Sequence, residues 1–221
     1  MRYPGGKGKS FPHIINLMPP HERYIETHLG GGAVMRNKKP CKEQVGIEID
    51  AKVVEEWRIR WPGLCEIVHG DALTKLGALE LTKDTLVYSD PPYLPETRRK
   101  ARLYRHEYSI ADHVHLLEAL SNVACKVMIS GYDSPLYRRL LATWNVHKFS
   151  ASTHNGSREE TVWFNFTRPL TVHDDRYLGD TFRQREAIRR RQARLRKRLL
   201  KLPPAELASL SNWLVSTSNQ G

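Results

Sequence analysis

Residues 85–93 read TLVYSDPPY, a β-prone run that ends in an aspartate, two prolines and a tyrosine. Proline cannot donate to a strand ladder, so the strand must stop at Asp90. Pro91 and Pro92 fix the local backbone and present carbonyl acceptors with no competing amide donors. Asp90 beside this turn can therefore offer one NH₂ group two acceptors, its own carboxylate and the Pro91 carbonyl. Tyr93 offers a ring on which a base can stack. An aromatic exocyclic amine is a poor nucleophile because its lone pair is delocalised into the ring. Two acceptors on its protons favour the pyramidal, nucleophilic geometry and receive the positive charge of the transition state. The competing reading is a surface turn with a stacked tyrosine.

Working outward, residues 23–27, 44–49 and 65–68 read as three earlier strands, and 126–130 as a later one. Asp50 opens a helical stretch through Val53, Val54 and Trp57, for which it is a candidate N-cap. Helices are expected near 110–122 and 134–143. Residues 144–152 and 161–166 read as two final strands around Asn155-Gly156, a hairpin signal. Alternating strands and helices followed by a terminal antiparallel pair predict an α/β fold, with a mixed, mostly parallel seven-stranded sheet covered by helices on both faces.

Ligands bind at the carboxyl edge of such a sheet. Four successive strands end there in polar or glycine-rich tips: residues 30–32, 48–50, 70–71 and 90–93. Four tips in register describe one site. Gly30, Gly31 and Gly32 let backbone approach a ligand closely. Glu48 follows Gly30 by 18 residues, near the ~20 of a carboxylate that grips ribose hydroxyls. Asp71 can accept from an adenine amino group. Together these tips describe an adenosine-sized ligand.

The formal charge of +11 is unevenly spread: residues 1–180 carry +3 and residues 181–221 carry +8. A polyanion is the natural partner of such a tail, nucleic acid ahead of acidic lipid. Residues 182–202 lack glycine and proline, carry Ile188, Leu195, Leu199 and Leu202 along a narrow stripe, and read as a long helix stopped by Pro203-Pro204. Its Arg189, Arg190 and Arg194 are candidate phosphate contacts. A second basic stretch, with Arg98, Arg99, Lys100, Arg102 and Arg105, follows the Asp90 turn and suits contacts to bases or phosphates. A solvated basic surface is the competing reading for both. Cys41, Cys65 and Cys125 show no metal-site or disulfide spacing. No run approaches the ~18–20 apolar residues of a membrane span, and no apolar leader core is visible. The expectation is an intracellular, cytoplasmic protein with no membrane partner. Gly8-Lys9-Ser10 resembles the end of a phosphate-binding loop, but Tyr3 stands where that loop needs its first glycine.

The order of glycine-rich, acidic, Gly-Asp and Asp-Pro-Pro-Tyr tips resembles the α class of S-adenosylmethionine-dependent DNA adenine-N6 methyltransferases, the Dam-like family. Tyr3-Pro4-Gly5-Gly6-Lys7 is similar to the family's opening segment, and residues 24–34 (YIETHLGGGAV) to its glycine motif. Residues 129–134 (ISGYDS) and 160–165 (ETVWFN) are similar to its later strand motifs. The resemblance implies methyl transfer to the N6 of a flipped adenine in DNA, with S-adenosylhomocysteine as product and no metal. It places Tyr3, Lys7, Glu26, Gly30, Gly32, Glu48, Asp71 and Asp90 by the cofactor, and Asp90, Pro91, Pro92, Tyr93 and Lys7 by the target base. Thr27 and His28 depart from the family's usual Pro-Phe, and Glu48 and Asp50 from its Asp and Asn. Only 39 residues separate Asp50 from Asp90, so the family's recognition domain is expected to be reduced or missing. The expected organisation is a catalytic domain over 1–170 and a basic helical extension over 171–221. Cytosine N4, or adenine in RNA, presents the same two protons and stays open as a target. A nucleic-acid-binding module without catalysis is the reading from another class.

Overall fold

The computed structural model describes residues 6–97, 105–153 and 156–218. Tyr3, Arg98, Arg99, Lys100 and Arg102 lie outside the described residues. The described chain divides into two compact units, 1–177 and 178–221.

The first unit carries the α/β fold expected from the sequence, a seven-stranded sheet in the order β3-β2-β1-β4-β5-β7-β6. The strands are β1 (Arg23–Glu26), β2 (Glu43–Glu48), β3 (Glu66–His69), β4 (Thr85–Ser89), β5 (Lys126–Gly131), β6 (Asn145–Thr153) and β7 (Gly156–Phe164). β1 to β5 run parallel, and β7 is antiparallel to both β5 and β6. The helices are α1 (Phe11–Ile15), α2 (Ala33–Asn37), α3 (Ala51–Arg60), α4 (Ala72–Gly77), α5 (Ile110–Ser121) and α6 (Pro135–Leu140).

Period-two alternation sorts the strand side chains into two cores. Tyr24, Leu86, Tyr88, Met128, Val162 and Phe164 face one side, under Ile14 and Ile15 of α1, Val34 of α2 and Trp57 of α3. Ile25, Val87, Val127, Ile129 and Trp163 face the other, under Leu76 of α4, Leu116, Leu117 and Leu120 of α5, and Tyr137 of α6. A parallel strand covered on both faces reads as a continuous buried run, and every residue of β4 is buried.

Side-chain oxygens cap the starts of α3, α4, α5 and α6. Asp50 accepts from the Lys52 amide, Asp71 from Thr74 and Ser134 from Tyr137. Ser109 and Asp112 form a reciprocal capping box on α5.

β7 begins at Gly156, five residues ahead of the expected 161, because its ladder with β6 runs unbroken from Asn145↔Phe164 to Thr153↔Gly156. The polar run Ser157, Arg158, Glu159, Glu160 is therefore strand. Residues 173–177 stay with the first unit: the His173 amide donates to the Met18 carbonyl, and the Phe11 and Tyr177 rings meet edge to face.

The second unit holds α7 (Phe182–Leu199) and α8 (Pro204–Ser218). Thr181 and Gln184 form the capping box of α7. The helix expected to run to residue 202 ends at Leu199, followed by tight turns from Lys201 and Leu202 to carbonyls three residues back. Pro204 opens α8, an element absent from the sequence reading; proline has no amide to lose at a first helical position. No helix among the described residues is long and apolar enough to cross a membrane.

Candidate functional site

Successive strands run outward from β1 through β2 to β3, then restart on the other side with β4 and β5. This reversal opens a crevice at the carboxyl ends of β1 and β4, where an open α/β sheet binds its ligands. A cleft of about 730 Å³, its open mouth included, occupies that place. All four strand tips line it: Gly30, Gly31 and Gly32 after β1, Glu48 and Ile49 at β2, Gly70 and Asp71 after β3, and Asp90, Pro91 and Pro92 after β4. Lys7 and Glu26 line it as well.

The glycine turn is held from both sides. Trp57, fully buried on α3, donates from Nε1 to the Gly30 carbonyl at 2.8 Å. Glu48 accepts from the Gly30 amide at 2.7 Å and from the Asp50 amide at 2.8 Å, one bond to each carboxylate oxygen. Burial raises its carboxyl above the usual range, against those backbone bonds. The carboxylate has acceptor capacity beyond these bonds for a ligand hydroxyl. Asp71 accepts from the Thr74 amide and hydroxyl through Oδ1, so it both caps α4 and lines the cleft.

Glu26 is 3% exposed at the end of β1 and accepts from the Tyr24 hydroxyl and the Met35 amide, each at 3.0 Å. Burial, with the nearby Asp90 charge, pushes its carboxyl up to about 8. The neutral form is favoured by folding, so its contribution to stability is complete below the unfolded carboxyl's ordinary range. It is then lost as pH rises toward 8. Glu26→Gln is therefore expected to gain on the wild type between pH 5 and pH 8.5, by on the order of a few kcal/mol. Denaturant unfolding at several pH values measures this; parallel curves would contradict it.

At the β4 tip, Lys7 donates to Asp90 Oδ1 at 2.6 Å, to Asp90 Oδ2 at 2.8 Å and to Tyr93 Oη at 2.5 Å. The Lys7 carbonyl accepts from the Ser10 and Phe11 amides, which fixes the lysine to the start of α1. Burial alone would lower this ammonium, but the Asp90 and Glu160 carboxylates outweigh it and hold the lysine above its ordinary range. Ser130 of β5 donates to Asp90 Oδ1 at 2.7 Å, and Tyr88 lies 2.9 Å from Ser130 Oγ. Tyr93 does not present an open stacking face: it is 5% exposed, with Lys7 4.8 Å from its ring centroid and the Tyr132 ring set edge-on, its centroid 4.4 Å away.

Several cleft residues escaped the sequence reading. His28 bridges Thr27 Oγ1 (2.8 Å) and Tyr108 Oη (2.9 Å), and burial lowers it to about 3, so it stays neutral. Its only sequence signal was the departure of Thr27-His28 from the family pattern. His106 and Tyr108 enter from residues just beyond the basic stretch. Arg105 is paired with Asp50 at 2.7 Å. In the second unit Arg189 pairs with Glu186 one turn away, while Arg190 and Arg194 are exposed; no residue of α7 is buried.

Two solved structures are similar to part of the chain. One is a putative O-methyltransferase from Klebsiella pneumoniae (15% identity, TM-score 0.47, 72% of this chain and 79% of that one). The other is an rRNA methylase from Streptococcus thermophilus (9% identity, TM-score 0.44, 74% and 97%). The type II methyltransferase M1.LlaDCHI of Lactococcus lactis subsp. cremoris is 36% identical over 80 residues, 34% of this chain; the match spans 28% of that relative. Residues 73–155, from α4 through the Asp-Pro-Pro-Tyr tip to the end of β6, match the model of the D12 class of N6 adenine-specific DNA methyltransferases.

Proposed function

We propose that the protein transfers a methyl group from S-adenosylmethionine to the N6 amine of an adenine in DNA, with the recognition domain usual in the α class reduced or missing. The observation that carries this reading is the meeting of the Asp90 tip with the glycine and acidic tips in one cleft at the switch point. The D12-class match over residues 73–155 includes that tip.

The cleft fits the cofactor by the chemistry of its donors. Bare backbone at Gly30 and Gly31 allows close approach, Glu48 has lone pairs for a ribose diol, and Asp71 has acceptor capacity for an adenine amine. When bound, S-adenosylmethionine supplies an electrophilic methyl on a cationic sulfur. Asp90 and the Pro91 carbonyl each accept a hydrogen bond from the target amine. The carboxylate stabilises the charge that develops on nitrogen and is the nearest acceptor for the proton the amine sheds. Ser130 holds that carboxylate still, so little reorganisation is needed as the charge develops. The target base must leave the duplex to reach this depth.

Incubation of unmethylated DNA and RNA with a methyl-labelled donor, followed by digestion to nucleosides, tests the reading. Label in N6-methyldeoxyadenosine is expected. Label in N4-methyldeoxycytidine or in RNA N6-methyladenosine would move the substrate. Cofactor binding without label in any nucleoside would leave a nucleic-acid-binding module.

The exposed face of α7 supplies affinity through phosphate contacts, which position without specifying sequence. Replacing Arg189, Arg190 and Arg194 with glutamine disturbs no buried residue of α7. It is expected to weaken DNA binding and to reduce the salt slope by up to about 0.9 for each phosphate no longer neutralised. Titration at several salt concentrations measures this; an unchanged slope would remove α7 from the interface.

A further inference from the structure

Lys7 occupies one of the two acceptors that the proposed reaction assigns to the target amine, the Asp90 carboxylate. Its ammonium is 3% exposed, donates to both Asp90 oxygens, and donates to the Tyr93 hydroxyl. A three-donor cation seated there stands in for an NH₂ group and excludes one. Asp90 cannot follow the lysine away, because Ser130 holds its Oδ1.

A second carboxylate waits beside the same ammonium. Glu160 lies on β7, is 8% exposed, and places Oε2 3.9 Å from Lys7 Nζ. That distance is an ion-pair separation, too long for a hydrogen bond. Oε2 has no hydrogen-bond partner among the described residues. A buried acceptor left unsatisfied needs an explanation, and here it points to a second position for the cation.

We propose that Lys7 is a two-position plug. It fills the Asp90 acceptors while no base is bound, and it passes to Glu160 when the target amine enters. Glu160 is thereby a positioning residue: it accepts the displaced ammonium, which would otherwise be left buried and unpaired, the costliest state for an ion. Base entry becomes an exchange of partners at Asp90, with the charge of the pocket conserved. The inference rests on Asp90 being the seat of the amine.

Steady-state methyl transfer to unmethylated genomic DNA, with the full-length chain, tests it. Glu160→Gln is nearly isosteric and removes no hydrogen bond from Oε2; thermal unfolding verifies its fold, and Glu160→Asp carries the same comparison if the glutamine variant does not fold. The expected result is a KM for DNA raised at least tenfold, with cofactor affinity unchanged. Lys7→Met is expected to lower KM, and in that background Glu160→Gln should change KM less than twofold. An equal effect of Glu160→Gln in both backgrounds would overturn the plug, as would loss of all transfer in Lys7→Met. A folded wild type that binds cofactor yet methylates no nucleic acid would instead overturn the reading of Asp90, and the plug with it.

Discussion

Asp90→Ala is expected to reduce methyl transfer by at least about 10³-fold, the scale on which a preorganised transition-state partner matters. On the proposed reading, cofactor and DNA binding should largely survive, because the residues proposed for them, Glu48, Asp71 and the arginines of α7, are untouched. The substitution also takes the nearer carboxylate from a buried cation. Lys7 is 3% exposed, and its remaining carboxylate, Glu160, lies 3.9 Å away. Breaking such a pair from one side costs about 3–5 kcal/mol where the cation is left uncompensated and less where Glu160 takes it, so lost activity alone would not separate chemistry from folding. The double variant Lys7→Met/Asp90→Ala separates them: it is expected to regain thermal stability and to remain inactive. Single-turnover transfer and thermal unfolding on both variants decide the matter. Turnover near that of the wild type in Asp90→Ala would end the assignment of the tip.

Gly32→Ala is expected to be the most damaging small substitution in the cleft. Gly32 sits at φ +53°, and an added Cβ would lie 2.0 Å from Cζ2 of Trp57 and 2.6 Å from its Cη2. The indole cannot retreat, since it is fully buried and bonded to the Gly30 carbonyl. The left-handed backbone costs a side chain about 1–2 kcal/mol, and overpacking adds about 1–3 kcal/mol. A loss of about 3 kcal/mol and weakened cofactor binding should follow. Gly63 provides the comparison: it has φ +76° but open space around its would-be Cβ, so Gly63→Ala should lose only the backbone cost. Thermal unfolding of the two variants measures the difference. Equal losses would refute the account of the packed turn.

The parts of this fold that were legible in the sequence are those that end in chemistry. β4 has the expected bounds, Thr85 to Ser89, because a β-branched and aromatic run stops at Asp90-Pro91. The four tips were readable because glycine, proline and acid punctuate strand ends. What was hidden has equally physical causes. α1 and α4 span five and six residues, too few to display a helical period. Residues 157–160 are polar and looked like loop, yet the β6 ladder carries them as strand. Pro203-Pro204 read as a stop, although proline also starts helices. At the β4 tip, Ser130 and Glu160 come to Asp90 and Lys7 from β5 and β7, and of these partners only Lys7 was placed beside Asp90 by the resemblance. No local pattern encodes such meetings.

The ladder between β1 and β4 has a consequence for how the site keeps its dimensions. Four pairs, from Arg23↔Thr85 to Glu26↔Tyr88, join the two halves of the sheet at the crevice. On one side stand the acids Glu26, Glu48 and Asp71; on the other stand Asp90, Ser130 and Glu160. A slip of one residue would turn every side chain of a strand to the wrong face. A slip of two would respect both cores yet carry Asp90 about 6.6 Å along the sheet relative to Glu26. That short ladder is thus the site's ruler. The span between a bound ligand and the Asp90 turn is measured in backbone hydrogen bonds, set before any ligand arrives.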